Sequence, residues 1–120
     1  MRTFRRDGYR FNVMDGGPAE GEPIVLLHGW PGGATTWQGV APTLWREGYR
    51  TLAPDQRGYS PGARPAGRRA YVMTELVADV VAVLDAAGTG RAHVVGHDWG
   101  GAVAWALASA QSDRVASLTV

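Results

Sequence analysis

The sequence has no lysine and no cysteine, and all twelve basic residues are arginine. Without lysine there is no P-loop, whose lysine reaches the phosphates, and no Schiff-base chemistry. Without cysteine there is no disulfide framework, thiolate metal site or thiol nucleophile. Histidine is scarce: there are three, and His93 and His97 lie close together, so a metal centre is not expected, nor is any other cofactor. Excess charge of either sign is also lacking. A net charge of +1 argues against a nucleic-acid or membrane-surface partner. The basic start Met1-Arg2-Thr3-Phe4-Arg5-Arg6 is followed by no apolar stretch, so neither a signal peptide nor a membrane span is expected. The expectation is a cytoplasmic protein; the composition does not specify an oligomeric state.

What is present reads as one α/β unit. The hydrophobic fraction, 45%, is ordinary for a globular chain, and 120 residues bound it to one domain. Asp7-Gly8 is a good hairpin turn between Phe4-Arg5-Arg6 and Tyr9 to Val13. Asp15 to Pro23 reads as a loop. Ile24 to Leu27 and Arg50 to Pro54 are short apolar runs, as strands buried on both faces of a parallel sheet require. Between them, helical spacing through Trp37, Val40, Leu44 and Trp45 ends at Gly48, with Pro42 expected to kink or split it. Residues 61–69 are rich in Pro, Gly and Arg, an exposed loop in which Arg64, Arg68 and Arg69 form a solvated surface. A helix with Leu76, Val77, Val80, Val81, Val83 and Leu84 on one side follows, capped by Gly88. Ala92 to His97 is a third buried strand, a helix runs to about Ala110, and Arg114 to Val120 begins a fourth. Strand and helix alternate as in a mostly parallel sheet with an N-terminal antiparallel hairpin. Stopping inside an apolar strand leaves an open edge, so residues 1–120 are expected to be the N-terminal part of one larger core domain.

The chemistry concentrates in Gly96-His97-Asp98-Trp99-Gly100-Gly101. A strand meets a one-residue turn and a helix, with the Gly-x-Asp-x-Gly spacing of a nucleophile elbow and Asp in the place usually held by Ser. Gly96 and Gly100 have a steric reason, since strand and helix close over a strained central residue. A carboxylate is ionised at neutral pH and displaces at a saturated carbon without a base, unlike a serine hydroxyl.

Three motifs then agree. His28-Gly29-Trp30-Pro31, Asp55-Gln56-Arg57-Gly58-Tyr59 and the elbow follow successive buried strands in the order seen in α/β-hydrolases. The chain resembles the Asp-nucleophile subgroup of that family, most of all soluble epoxide hydrolases, over nearly all of residues 4–120. The resemblance implies the N-terminal half of an α/β-hydrolase core, Asp98 as nucleophile, and backbone N–H groups of Trp30 and Trp99 as oxyanion donors. It also implies a cis bond before Pro31. The substrate would be a small apolar epoxide, or a haloalkane if the chain follows the dehalogenases, where Trp99 would lend its indole N–H to the halide. One departure is Ser60-Pro61-Gly62 after Tyr59, where relatives usually read Gly-x-Ser. The relay acid, catalytic His and cap of the family have no counterpart in these residues, so the chain alone is expected to lack turnover.

Each residue also has a plain reading. Asp98 is a good helix N-cap, and Trp99 a packing residue. His28 is expected to order its loop by hydrogen bonds, His93 and His97 to be structural, and Asp55 and Arg57 to brace loops. Trp37, Trp45 and Trp105 are read as core. A dinucleotide-binding alternative would need Gly-x-Gly-x-x-Gly after the first strand, and Trp30-Pro31 stand where small residues are required.

Overall fold

In the computed structural model, which describes residues 1–120, two strands joined by a two-residue turn start the chain. β1 (Thr3–Arg6) pairs antiparallel with β2 (Tyr9–Gly16), and the turn residues Asp7 and Gly8 both take positive φ, 53° and 81°. This is the turn hand that matches strand twist. β3 (Glu22–Leu27), β4 (Tyr49–Pro54), β5 (Ala92–Gly96) and β6 (Val115–Thr119) follow. The six strands form one sheet in the order β1-β2-β4-β3-β5-β6. β2 joins β4 antiparallel, and the other pairs across β4, β3, β5 and β6 are parallel. The crossovers are α1 (Ala41–Arg46), α2 (Met73–Ala86) and α3 (Trp99–Ala110).

Strand periodicity divides the core in two. Ile24 and Leu26 of β3 pack with Ala34, Trp37 and Ala41 on the α1 side. Val25 and Leu27 face the other way and share a cluster with Val80, Val83 and Leu84 of α2 and Val103 and Leu107 of α3. β3 is therefore covered on both faces, which is why its sequence is apolar without alternation. α2 ends as its sequence signals. Thr89 N–H returns to the Leu84 carbonyl and Gly88 N–H to that of Asp85, with Gly88 at φ 71°. No helix is long and apolar enough to cross a membrane.

Several boundaries differ from the sequence reading. β2 continues to Gly16 and β3 begins at Glu22, so the loop expected over Asp15 to Pro23 shrinks to 17–21. Gly16 looks like loop composition, but a Cβ there would lie 2.7 Å from Trp45 Cε2, so its absence makes room for the indole. That indole donates from Nε1 to Thr51 Oγ1 at 2.8 Å. The helix expected through Trp37 and Trp45 is split into a 3₁₀ turn, Ala34–Trp37, and α1. Pro42 sits in the first turn of α1, where a backbone N–H has no intrahelical acceptor to lose. The third buried strand stops at Gly96 rather than His97. Arg114 precedes β6 in a 3₁₀ turn, and its guanidinium binds the carbonyls of Gly90 and Thr89 and the Asp85 carboxylate.

The loop over 61–69 is exposed at Arg64, Arg68 and Arg69, but Ala63 within it is fully buried. Gly58 N–H donates to the Ala63 carbonyl at 2.8 Å and ties the loop down. Trp105, read as core, is 59% exposed. Gly100, Val103, Ala104 and Leu107 already fill the inward stripe of α3, so Trp105 falls outside it. Trp37 is buried and Trp45 partly so.

Asp15 near the end of β2 accepts from Arg50 Nε at 2.9 Å and Nη2 at 2.7 Å, and this pairing holds its carboxyl below the ordinary carboxylate range. A depressed folded value stabilises the fold above the unfolded value of about 3.9. That contribution is lost as pH falls through the lower, folded value. Urea titrations at pH 6 and pH 3 should therefore show a smaller pH-dependent loss of stability for Arg50→Ala than for the unsubstituted chain.

Candidate active site

β5 delivers the chain to the elbow. His97 N–H still donates to the Leu27 carbonyl at 3.0 Å, and then Asp98 turns at φ 58°, ψ −122°, which side-chain-bearing residues seldom adopt. Gly100 N–H bonds back to the His97 carbonyl at 2.9 Å, and α3 starts at once. The turn closes only because two positions carry no Cβ. One on Gly96 would lie 2.7 Å from Gly101 Cα, and one on Gly100 would lie 2.6 Å from the His28 carbonyl oxygen. Gly101 is different. Its Cβ would meet only ordinary contacts at 3.6 Å and beyond.

Asp98 stands at the N-cap position of α3, but its side chain makes no capping hydrogen bond. The carboxylate turns instead toward the loop after β3, where Oδ2 accepts the Trp30 backbone N–H at 3.1 Å. That N–H and then the Trp99 N–H hold the exposed carboxyl below its ordinary value; desolvation opposes them, and neighbouring His97 contributes least. Gly29 allows the approach: a Cβ there would lie 2.9 Å from both Asp98 Oδ2 and the His97 carbonyl oxygen. The Trp30–Pro31 bond is cis. Trp30 and Trp99 are 69% and 64% exposed on either side of the carboxylate, so Trp99 is not a packing residue here.

The other motif residues hold this loop. His28 is buried, with Nε2 accepting the Gln56 backbone N–H at 3.0 Å and Nδ1 at 2.9 Å from the Gly29 carbonyl. Gln56 also donates its side-chain amide to the His28 carbonyl at 2.6 Å. Asp55 Oδ1 accepts the Ala34 N–H at 2.7 Å, which pins the far end of the same loop. Arg57 is buried and bound to α2. Its Nε and Nη2 grip Asp79 at 2.9 and 3.0 Å, and Nη1 donates to the Ala70 carbonyl at 2.9 Å. Arg6 binds the same carboxylate and Glu75. Burial pushes the Asp79 carboxyl up from its ordinary value, and the hydrogen bonds and charges of Arg57 and Arg6 work against that. Gly58, at φ 93°, turns the chain under Tyr71. Ser60, the departure from the usual motif, is fully buried and donates to the Asp55 carbonyl at 2.7 Å while accepting the Asn12 N–H.

A cavity of about 260 Å³ is lined by Trp99, the neighbour of Asp98, and by Trp30, Tyr59, Tyr71, Leu76 and Val103 among others. Burial and the Asp98 charge both raise the Tyr59 phenol above its ordinary value. A larger groove of about 600 Å³ runs between α2 and α3, and no residue of the three motifs lines it. His93 lies toward the other end of β5, bonded to Ser117 and Glu22. His97 is exposed next to Asp98. No group of three or more His, Asp or Glu side chains is arranged to hold a metal ion.

The mixed sheet with its N-terminal antiparallel pair agrees with the comparisons. Residues 22–120 match the family model described as the alpha/beta hydrolase fold. The chain belongs to that family. It is 42% identical to epoxide hydrolase A of Mycobacterium tuberculosis over 98% of this chain and 36% of that relative. With epoxide hydrolase 3 of Siraitia grosvenorii it shares 34% over 97% of this chain and 36% of that relative. The crystal structure of epoxide hydrolase A from Mycobacterium thermoresistibile superposes with a TM-score of 0.93 at 38% identity, over 98% of this chain and 37% of that one. An epoxide hydrolase from an endophytic Streptomyces gives 0.92 at 38%, over 98% and 35%. The chain spans about a third of the length of these α/β-hydrolase relatives, and its six strands are part of that core.

The sequence reading left Gln56, Tyr59, Tyr71 and Asp79 without roles. Asp79 had a signal, an acid on the apolar side of a helix between Leu76 and Val83. Tyr71 had none, because a loop of undetermined path brings it in.

Two outcomes test this packing. Gly100→Ala should unfold the elbow, whereas Gly101→Ala should be neutral or gain up to about 1 kcal/mol from helix propensity, read from thermal melts. Asp79→Ala leaves Arg57, 4% exposed, without its counter-ion, and should cost about 3–5 kcal/mol by urea denaturation.

Proposed function

We propose that Asp98 attacks a saturated carbon of a small apolar epoxide and that the chain is the N-terminal part of a single epoxide-hydrolase core domain. The observation that carries this reading is the state of the Asp98 carboxylate. It is exposed, held in its charged form, and fixed through one oxygen, Oδ2, by the Trp30 N–H. Oδ1 is left to act as nucleophile next to Trp99 and the aromatic cavity that Trp99 lines, whose size suits one ring or a short alkyl chain. The names of the relatives favour epoxide over halide as the reacting group.

In the first step Oδ1 forms an ester bond to carbon as the epoxide C–O bond breaks, and the alkoxide takes a proton from water or a donor. Oδ2 becomes the ester carbonyl oxygen. It then already lies against the Trp30 N–H, with the Trp99 N–H as the second donor. When water attacks the ester, negative charge builds on this oxygen, and each such donor is commonly worth about 10²–10³ in rate. That second step needs a base. His28 and His93 have both ring nitrogens engaged. His97 flanks Asp98 with no acid partner among the hydrogen bonds of the site. The 120-residue chain on its own should therefore stop at the ester.

Incubation with styrene oxide followed by mass spectrometry should show one adduct per chain, mapped to Asp98 and absent from Asp98→Asn. Labelling spread over other carboxylates and unchanged in that variant would refute the nucleophile. Diol formed in excess of the protein would refute the single turnover, and bromide release from a bromoalkane without epoxide labelling would favour the dehalogenase reading.

A further inference from the structure

The approach that requires glycine at position 29 creates a problem. Glycine imposes little on its own φ and ψ, so residue 29 itself does little to set which way the peptide between Gly29 and Trp30 faces, and its carbonyl must be held by hydrogen bonds. Its orientation matters because this one planar unit carries the Gly29 carbonyl at one end and, at the other, the Trp30 N–H that meets Asp98 Oδ2. The unit is trans, so carbonyl and N–H point in opposite directions, and fixing one fixes the other.

The carbonyl is held by the His28 side chain together with the Gly32 N–H. A backbone N–H can only donate, so the 3.0 Å contact from Gln56 N makes His28 Nε2 an acceptor. The ring proton then lies on Nδ1, which donates to the Gly29 carbonyl at 2.9 Å. Gly32 N–H reaches the same oxygen at 3.0 Å. The imidazole is buried and packed edge-on against Tyr59 with ring centroids 4.6 Å apart, so it has little room to turn. We propose that His28 is a positioning residue: its Nδ1–H, acting through the Gly29–Trp30 peptide, aims the Trp30 N–H at Asp98. Donation to the carbonyl also polarises the peptide and strengthens its N–H as a donor. The geometric claim stands on the hydrogen bonds alone; its value to catalysis rests on the function proposed above.

A histidine that merely braces the loop would serve through either nitrogen. Two substitutions separate the cases. The side-chain amide of Asn reaches the Nδ1 position and can still donate to Gly29. The side-chain oxygen of Gln reaches the Nε2 position and can accept from Gln56, but leaves the Gly29 carbonyl without its side-chain donor. In the 120-residue chain, NMR of the Asp98 carboxyl carbon and the Trp30 amide proton reads the result. His28→Gln should move the Asp98 titration midpoint up toward the ordinary Asp value and shift the Trp30 amide proton upfield. His28→Asn should leave both close to the unsubstituted chain. Equal behaviour of the two variants overturns the proposal. The unsubstituted chain supplies an arm independent of how the variants fold: the imidazole ¹⁵N shifts should report a proton on Nδ1 and none on Nε2, and the reverse tautomer overturns the proposal. Styrene oxide labelling of the same samples keeps the two readings apart. No labelling of the unsubstituted chain, with the NMR pattern intact, refutes the nucleophile and leaves the positioning role standing.

Discussion

The site depends on one backbone conformation, that of Asp98 between β5 and α3. At φ 58° the residue cannot continue the strand or join the helix, so its side chain stands clear of both. What holds it there is contact between backbones: Gly96 against Gly100 and Gly101, and Gly100 against the ends of β3 at Leu27 and His28. Strand, helix and neighbouring strand are thereby locked at distances no Cβ would permit. The strain at Asp98 persists because the surrounding core of Val25, Leu27, Val94, Val103 and Leu107 leaves the elbow no lower-energy path.

The second requirement is that the loop after β3 come to the elbow. Parallel pairing of β3 with β5, in register from Ile24 opposite His93 to Leu27 opposite Gly96, ends both strands at the same level. β4 ends beside them, so its loop supplies Gln56 to His28 and Asp55 to Ala34. Three loops thus meet at the carboxyl ends of adjacent parallel strands, where sites on such sheets form. The division of labour is clear. Trp30 and Asp98 present polar groups to the open side, and His28 with residues 55–60 holds them from behind.

Charge is arranged on the same logic. The buried pair of Arg57 and Asp79 lies on the α2 side of the sheet and secures the loop after β4 against α2 and Arg6 of β1. The exposed carboxylate, Asp98, receives backbone N–H groups instead of a guanidinium, which keeps it charged without a counter-ion that would block its free oxygen. The paired acid supports the structure, and the unpaired acid is the one left available.

Much of this was legible in the residues because it depends on local rules. The Asp7-Gly8 hairpin, the apolar strands, the Gly88 cap and the elbow spacing each follow from steric or burial patterns a few residues long, and the three motifs identified the hydrolase fold. Other features depend on partners distant in sequence. Gly16 belongs to a strand because Trp45 packs on it, and Trp105 is exposed because Gly100, Val103, Ala104 and Leu107 already fill the inward stripe of α3. That Asp98 faces Trp30 rather than capping α3 was equally undecided, since both choices satisfy the same short sequence. The sequence by itself determined which groups were available: an acid with glycines around it, a histidine before a glycine, a loop containing Trp-Pro. Tertiary structure decided which of them meet, because the register of β3 against β5 sets the single level at which a carboxylate and a backbone N–H 68 residues apart come within 3.1 Å.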